Sequence, residues 1–212
     1  MSASTLESLT GSVGLAFPEY DAPPAEPMAL VRDWLAAAVA RGVREPKALS
    51  LATADGLGRA SNRIVVFNSV TDRGLVFATH STSQKGRELA ETRWASGLLY
   101  WRETGQQIIL SGPTRLLADA ESEALWFARP TPLHSMSTAS RQSEPIDDPA
   151  TLRAESDRLA SLGAPLPRPA RFVGYHLTPT VVEFWCAAPD RLHRRLRYDH
   201  DGWTWRTSRL QP

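Results

Sequence analysis

The segment Thr79-His80-Ser81-Thr82-Ser83-Gln84-Lys85-Gly86-Arg87 concentrates groups that bind anions. An apolar stretch ends there, hydroxyls stand at 79, 81 and 83, and a lysine follows where helix-forming sequence begins. A helix start carries unpaired backbone N–H groups and the positive end of the helix dipole, and both attract phosphate. The chemistry implied is the holding of a phosphate. The same residues also describe an ordinary serine N-cap followed by a solvated lysine.

Three further groups stand out. Arg63-Ile64-Val65-Val66-Phe67-Asn68 places an arginine at the opening of an apolar strand, either facing a cleft shared with the phosphate site or facing solvent. In Gln106-Gln107-Ile108-Ile109-Leu110, a glutamine at the start of a buried strand can offer both a donor and an acceptor to the edge of a ring, or be an exposed hairpin amide. Finally, Glu183-Phe184-Trp185 is followed by Arg191-Leu192-His193-Arg194-Arg195-Leu196-Arg197. Read as a strand, the latter puts Arg191, His193, Arg195 and Arg197 on one face. Such a face repels itself unless something anionic or aromatic covers it; the competing account is a basic edge strand that resists edge pairing.

Other chemistries lack their residues. The five histidines are scattered, with no two at helical metal-ligand spacing, and Cys186 is the lone cysteine, so no metal site is expected. There is no Gly-x-Ser-x-Gly, no Walker loop and no Gly-x-Gly-x-x-Gly. With 24 basic and 23 acidic residues the net charge is +1, which gives no electrostatic case for nucleic-acid binding. Residues 1–14 lack the flanks of a signal peptide and no apolar run is long enough to span a bilayer, so a soluble, cytoplasmic protein is the expectation.

The elements that must position these groups follow from periodicity. Residues 1–27, rich in Ser, Gly, Pro and Ala, read as a flexible or draped arm rather than a core element, and 28–212 as one domain. Apolar residues at three- and four-residue spacing from Met28 to Val39 predict an amphipathic helix stopped by Gly42. Strands are predicted at 48–53, 61–67, 74–79, 96–101, 106–117, 172–177, 181–185, 191–198 and 203–209, the last two joined by a hairpin at 199–202. Helices are predicted at 83–91, 119–128 and 150–162, and 131–149 reads as loop. The fold class is mainly β with peripheral helices (α+β), a barrel of about eight strands.

Taken in order, these segments resemble the pyridoxamine 5'-phosphate oxidase family. The carrying motifs are Arg63-Ile64-Val65-Val66, Thr79 to Lys85, Gln107, Ser140-Arg141-Gln142-Ser143, Glu183-Phe184-Trp185, Arg191-Leu192-His193-Arg194-Arg195 and Arg209-Leu210-Gln211-Pro212. The resemblance implies an FMN-binding split β-barrel and a homodimer with FMN at the subunit interface. It implies that Arg63, Ser83 and Lys85 hold the FMN phosphate with Ala78, Thr79 and Gln84 nearby, and that Ile64, Val65 and Val66 run along the flavin. Gln107, Trp185 and Arg195 would contact the ribityl chain or ring, and Gln142 and Ser143 would contribute across the dimer interface.

Departures from the family pattern bear on substrate. Asn68 stands where the vitamin oxidase has a lysine, Leu125 where it has a tyrosine, and Leu133 where it has a serine; of that phosphate-binding set only Arg129 remains. Exchanging a cation and two hydroxyls for an amide and two leucines suits a flat apolar body better than a phosphate. The pattern resembles the branch of the family found in phenazine biosynthesis, as do Phe17-Pro18-Glu19-Tyr20-Asp21 and Leu166-Pro167-Arg168-Pro169. That branch implies oxidation of reduced phenazine carboxylates: hydride to flavin N5, then reoxidation by O2 to H2O2. Asn68, Leu125, Arg129, Leu133, Arg191 and His193 would meet a planar tricyclic carboxylate, with Arg191 pairing a carboxylate and His193 shuttling a proton. A pyridoxine or pyridoxamine phosphate oxidase and a non-catalytic flavin-binding protein are the rivals.

Overall fold

Alternation of buried and exposed side chains sets the sheet. In β1 (Ala48–Ala54), Leu49, Leu51 and Thr53 point inward, and the neighbouring β2 (Ala60–Val66) pairs with it antiparallel, Leu51 opposite Arg63 and Thr53 opposite Ser61. The computed structural model describes residues 14–212, so residues 1–13 of the expected arm lie outside the described residues. The further strands are β3 (Ser69–Thr71), β4 (Gly74–His80), β5 (Trp94–Trp101), β6 (Gln106–Leu116), β7 (Phe172–Leu177), β8 (Val181–Cys186), β9 (Arg194–His200) and β10 (Trp205–Leu210). The helices are α1 (Pro27–Ala40), α2 (Gln84–Thr92), α3 (Asp119–Phe127), α4 (Pro132–Ala139) and α5 (Pro149–Ala160).

All neighbouring strands are antiparallel. One path runs β10-β9-β8-β6-β5-β1-β2, while β7 joins β6 to β4 and β3 flanks β4. The curl comes from β6, which pairs with β8 over Gln106–Ser111 and with β7 over Thr114–Leu116. Its change of partner falls at Gly112-Pro113, where a Cβ on residue 112 would lie 2.2 Å from the Thr178 carbonyl oxygen. A residue without a side chain and one without an N–H are what such a corner tolerates. The split barrel expected from the sequence is the observed fold, a curled antiparallel sheet with, among the described residues, five α-helices around it.

The core fills the curl with Leu49, Leu51, Phe77, Leu99, Ile108, Leu110, Phe184 and Tyr198, and α1 closes one end with Leu30, Val31 and Trp34. Residues 14–26 drape over the same end, and Phe17 enters the core where no core residue was expected, its ring 4.9 Å from that of Trp34. Arg194 donates to the Leu15 carbonyl at 2.8 Å and Tyr198 to the Pro24 carbonyl at 3.1 Å, tying the segment to β9. A second cluster of Trp126, Leu166 and Phe172 fixes α3 and α4.

The structure corrects four further readings. Ten strands form among the described residues rather than about eight; β3 is three residues long, too short to show a period. The expected loop at 131–149 contains α4, whose Pro132 and Leu133/Met136 spacing were masked by Ser and Thr content. The 199–202 hairpin is displaced: Asp201 N–H bonds the Thr204 carbonyl, and the Asp201 carboxylate accepts from the Trp203 and Thr204 N–H groups, so the strand continues through His200. Finally, Arg191 and His193 precede β9. The chain turns there with Arg191 at φ +65°, and the Leu192 N–H bonds Asp190 Oδ1 at 3.0 Å. The basic face inferred for 191–197 therefore does not exist as drawn. Arg195 pairs with Glu183 at 2.7 Å and Arg197 with Asp199 at 2.8 Å, so the chain's own carboxylates cover it.

Candidate active site

A cavity of about 830 Å³ opens beside β2, within the roughly 300–1,000 Å³ range of small-molecule sites. Arg63, Ile64, Val65, Val66 and Asn68 line one side; Ala78, Thr79, Gln84 and Lys85 form the end where β4 meets α2; Arg129, Leu133, Gln142 and Ser143 close the other side. Thirteen of the residues singled out in the sequence thus come together, although they lie up to 80 positions apart, from Arg63 to Ser143.

The β4–α2 junction is built by Ser83 and Gly86. Ser83 caps α2: its hydroxyl accepts from the Gly86 N–H at 3.2 Å, donates to the His80 carbonyl at 2.7 Å and accepts from Lys85 Nζ at 3.2 Å. A Cβ at residue 86 would lie 2.4 Å from the carbonyl oxygens of His80 and Ser81, so only glycine lets the helix dock this closely. Ser83 is fully buried and is not among the residues that line the cavity; its hydroxyl meets Lys85, which does line it.

Lys85 also donates to Gln142 Oε1 at 3.1 Å, as does Thr79 Oγ1 at 3.1 Å. Gln142 and Ser143, expected across a subunit interface, line the cavity from the same chain, because the turn after α4 folds back onto β4. No carboxylate among the described residues lies within ion-pairing distance of Lys85 Nζ. Burial and the neighbouring Arg63 bring its ammonium down to about 8. Two cations sharing one buried carboxylate, Glu88, which Arg63 Nη2 reaches at 3.4 Å, and standing beside hydroxyl and amide groups, suit the dianionic head of a phosphate monoester.

Arg129 reaches the opposite wall from the α3–α4 connection. Its guanidinium sits 5.1 Å from the Phe172 ring centroid and 5.9 Å from that of Trp126, and it donates to Ser137 Oγ at 3.1 Å. Trp126 is held by its indole N–H on the Leu166 carbonyl at 2.6 Å and by His134, stacked at 4.2 Å. α4 thus supplies both the anchor of Arg129 and two apolar groups, Leu133 and Met136, which are 41% and 50% exposed. Met136 was missed with its helix. Leu125 does not line the cavity. It packs on the Trp126 cluster, its Cδ1 2.7 Å from where a Cβ on Gly174 would stand.

Gln107, Trp185 and Arg195 form a separate row. Gln107 pairs across the sheet with Trp185, and Trp185 with Arg195, so the three share one half-exposed face of β6, β8 and β9. His193 joins it, its ring 4.7 Å from that of Trp185. His193 Nδ1 accepts the Ala188 N–H at 3.1 Å, which leaves Nε2 as the protonated, outward donor of the neutral ring. Burial first, then Arg191, lowers its pKa. Arg191 is exposed beside it.

Sequence and structure comparisons agree on the family. Residues 35–186 match the model described as pyridoxamine 5'-phosphate oxidase, and residues 172–212 the pyridoxine 5'-phosphate oxidase C-terminal dimerisation region. The chain is 59% identical to the dihydrophenazinedicarboxylate synthase of Burkholderia lata over 100% of both chains. It is 50% identical to the protein of that name from Pseudomonas chlororaphis, over 97% of this chain and 93% of the other. A crystal structure of PhzG from Burkholderia lata in complex with tetrahydrophenazine-1-carboxylic acid superposes with a TM-score of 0.93 at 59% identity, covering 95% of this chain and 100% of that one. With its ordered motifs, its curled antiparallel sheet and these matches, the chain belongs to the pyridoxamine 5'-phosphate oxidase family.

Proposed function

We propose that this protein is an FMN-dependent oxidase that oxidises reduced phenazine carboxylates with O2, giving H2O2. The observation that carries the reading is the division of the cavity. Arg63 and Lys85 form a cationic end suited to a phosphate, whereas Ile64, Val66, Leu133 and Met136 give an apolar wall suited to flat rings. Arg63, Thr79, Gln84 and Lys85 would hold the FMN phosphate, with Ser83 fixing Lys85. Ile64, Val65 and Val66 would run along the flavin. FMN, when bound, supplies a hydride acceptor that O2 can reoxidise.

The protein's own part is orientation and charge. Arg129 offers a guanidinium toward a substrate carboxylate, and Asn68 and Leu133 remove the cation and hydroxyl that a substrate phosphate needs. The row of Gln107, Trp185 and Arg195, with Arg191 and His193, stands apart from the cavity of its own chain. A homodimer in which a second copy brings this row against the flavin would complete the site, and the match of 172–212 to a dimerisation region supports it. His193 would then donate Nε2–H to a carboxylate.

The test is the visible spectrum of the purified protein, followed by anaerobic mixing with a reduced phenazine carboxylate or with pyridoxine 5'-phosphate. A yellow protein bleached by the phenazine alone, and releasing H2O2 on admission of air, is expected. Bleaching by pyridoxine 5'-phosphate alone would make it a vitamin oxidase. Absence of bleaching by either would make it a flavin-binding protein without this activity.

A further inference from the structure

Beneath the phosphate corner lies a carboxylate that no part of the reading above uses. Glu88, on the inward face of α2, is 6% exposed. It accepts from Thr53 Oγ1 at 2.5 Å, from Ser61 Oγ at 2.7 Å, from Gln84 Nε2 at 2.9 Å and from Arg63 Nη2 at 3.4 Å. Three of these partners, Ser61, Arg63 and Gln84, line the cavity.

The proton inventory shows how one carboxylate organises the corner. Arg63 Nη1 donates to the Leu51 carbonyl at 3.1 Å and to Thr53 Oγ1 at 2.5 Å. Arg63 Nη2 donates to Ser61 Oγ and to Glu88. The four Nη protons are thereby engaged, and Nε–H remains. Each hydroxyl has one proton, and because Thr53 and Ser61 both accept from Arg63, each sends that proton to Glu88. The network depends on Glu88 being ionised, since a protonated carboxyl would lose acceptor sites. Burial alone would raise its pKa, but the hydrogen bonds from Thr53, Ser61 and Gln84 and the charge of Arg63 hold it below the ordinary value.

We propose that Glu88 is the positioning residue of the phosphate corner: it locks Arg63, Ser61 and Gln84 into one geometry and so makes the site select a phosphorylated flavin over the same flavin without its phosphate. This rests on the FMN reading above. Coulomb attraction alone gives the opposite sign, because removing a buried negative charge near the site strengthens the pull on a phosphate. Loss of affinity on neutralising Glu88 is therefore diagnostic of positioning.

The experiment measures dissociation constants of FMN and of riboflavin for the flavin-stripped full-length chain by flavin fluorescence. Wild type is compared with Glu88→Gln, Glu88→Asp and Thr53→Val, and the thermal midpoint of each flavin-free protein is recorded. We expect Glu88→Gln to weaken FMN binding on the order of 10–100-fold, as for loss of charge-assisted hydrogen bonds. Riboflavin affinity should shift less than about 3-fold, since that ligand makes no phosphate contact. Glu88→Asp should recover part of the loss, and Thr53→Val should lose FMN affinity in the same direction. If Glu88→Gln does not fold, the Thr53→Val ratio of FMN to riboflavin affinity decides. An unchanged or increased ratio in the variants, or equal losses for both flavins, overturns the proposal while leaving the FMN reading intact. A wild-type protein that does not prefer FMN to riboflavin overturns both.

Discussion

Lys85 on the first turn of α2 donates to Gln142 Oε1 at 3.1 Å, joining the strand–helix junction to a segment 57 residues further along the chain. The bond closes the cationic end of the cavity and holds the half-buried Lys85 beside Arg63.

A lysine brought down to about 8 by burial and by Arg63 must be protonated to pair with a phosphate. FMN affinity is therefore expected to fall as pH rises through about 8, approaching a slope of roughly one proton per flavin. Lys85→Met should bind FMN about 10–100-fold more weakly at pH 7 and lose that slope. Fluorescence titrations between pH 7 and 9.5 check this; an equal slope in both proteins would assign the proton to another group.

Substrate choice should follow the cavity wall. Asn68→Lys with Leu133→Ser restores a cation and a hydroxyl where both residues line the cavity. The double variant should bind pyridoxine 5'-phosphate about tenfold or more tightly than wild type, as charge-assisted hydrogen bonds are gained. Leu125→Tyr should give no such gain, because Leu125 faces Gly174; overpacking should instead destabilise the fold by about 1–3 kcal/mol, read from thermal or urea unfolding.

His193 is expected to orient rather than to take a proton, since its Nδ1 already accepts from the Ala188 N–H. His193→Ala should raise KM several-fold and leave kcat within about threefold, whereas a general base would cost roughly 10²–10⁴ in rate. Steady-state kinetics with a reduced phenazine carboxylate separate the two.

His80 makes an acid-labile point in the fold. It is 1% exposed, and neither ring nitrogen has a hydrogen-bond partner. Burial first, then Arg171, Lys85 and Arg129, brings its pKa to about 4. The unfolded chain, with the histidine near 6.5, binds the extra proton first, so this contribution to stability is complete above about pH 6.5 and is lost as pH falls toward 4. The loss attributable to His80 is on the order of 3 kcal/mol once it is fully protonated. His80→Leu should flatten the dependence of unfolding free energy on pH between 7 and 4.5; an unchanged slope would place the acid sensitivity elsewhere.

The sequence by itself determined the local elements and the chemistry they carry. Period-2 burial in β1 and 3.6-residue spacing in α1 are written in residue types, because each depends only on near neighbours. The cationic pair Arg63 and Lys85, the apolar run after Arg63, and the substitutions at Asn68 and Leu133 were legible for the same reason. Tertiary structure decided which of these groups meet. Leu125 and Leu133 look alike in sequence, yet only Leu133 reaches the cavity, because the packing of Trp126 turns Leu125 toward Gly174. That the Ser83 hydroxyl caps α2 and meets Lys85 is visible only once the helix is docked on β4. The basic run at 191–197 reads as one strand face until Arg191 and His193 are found in the turn before β9 and Glu183 and Asp199 beside Arg195 and Arg197. Glu88 looks like any solvated helix acid in the sequence; only the folding of α2 over β1 and β2 buries it against Thr53, Ser61 and Arg63. Hydrogen-bond partners and burial are set by which distant strands and helices pack together, and residue spacing along the chain carries no record of that.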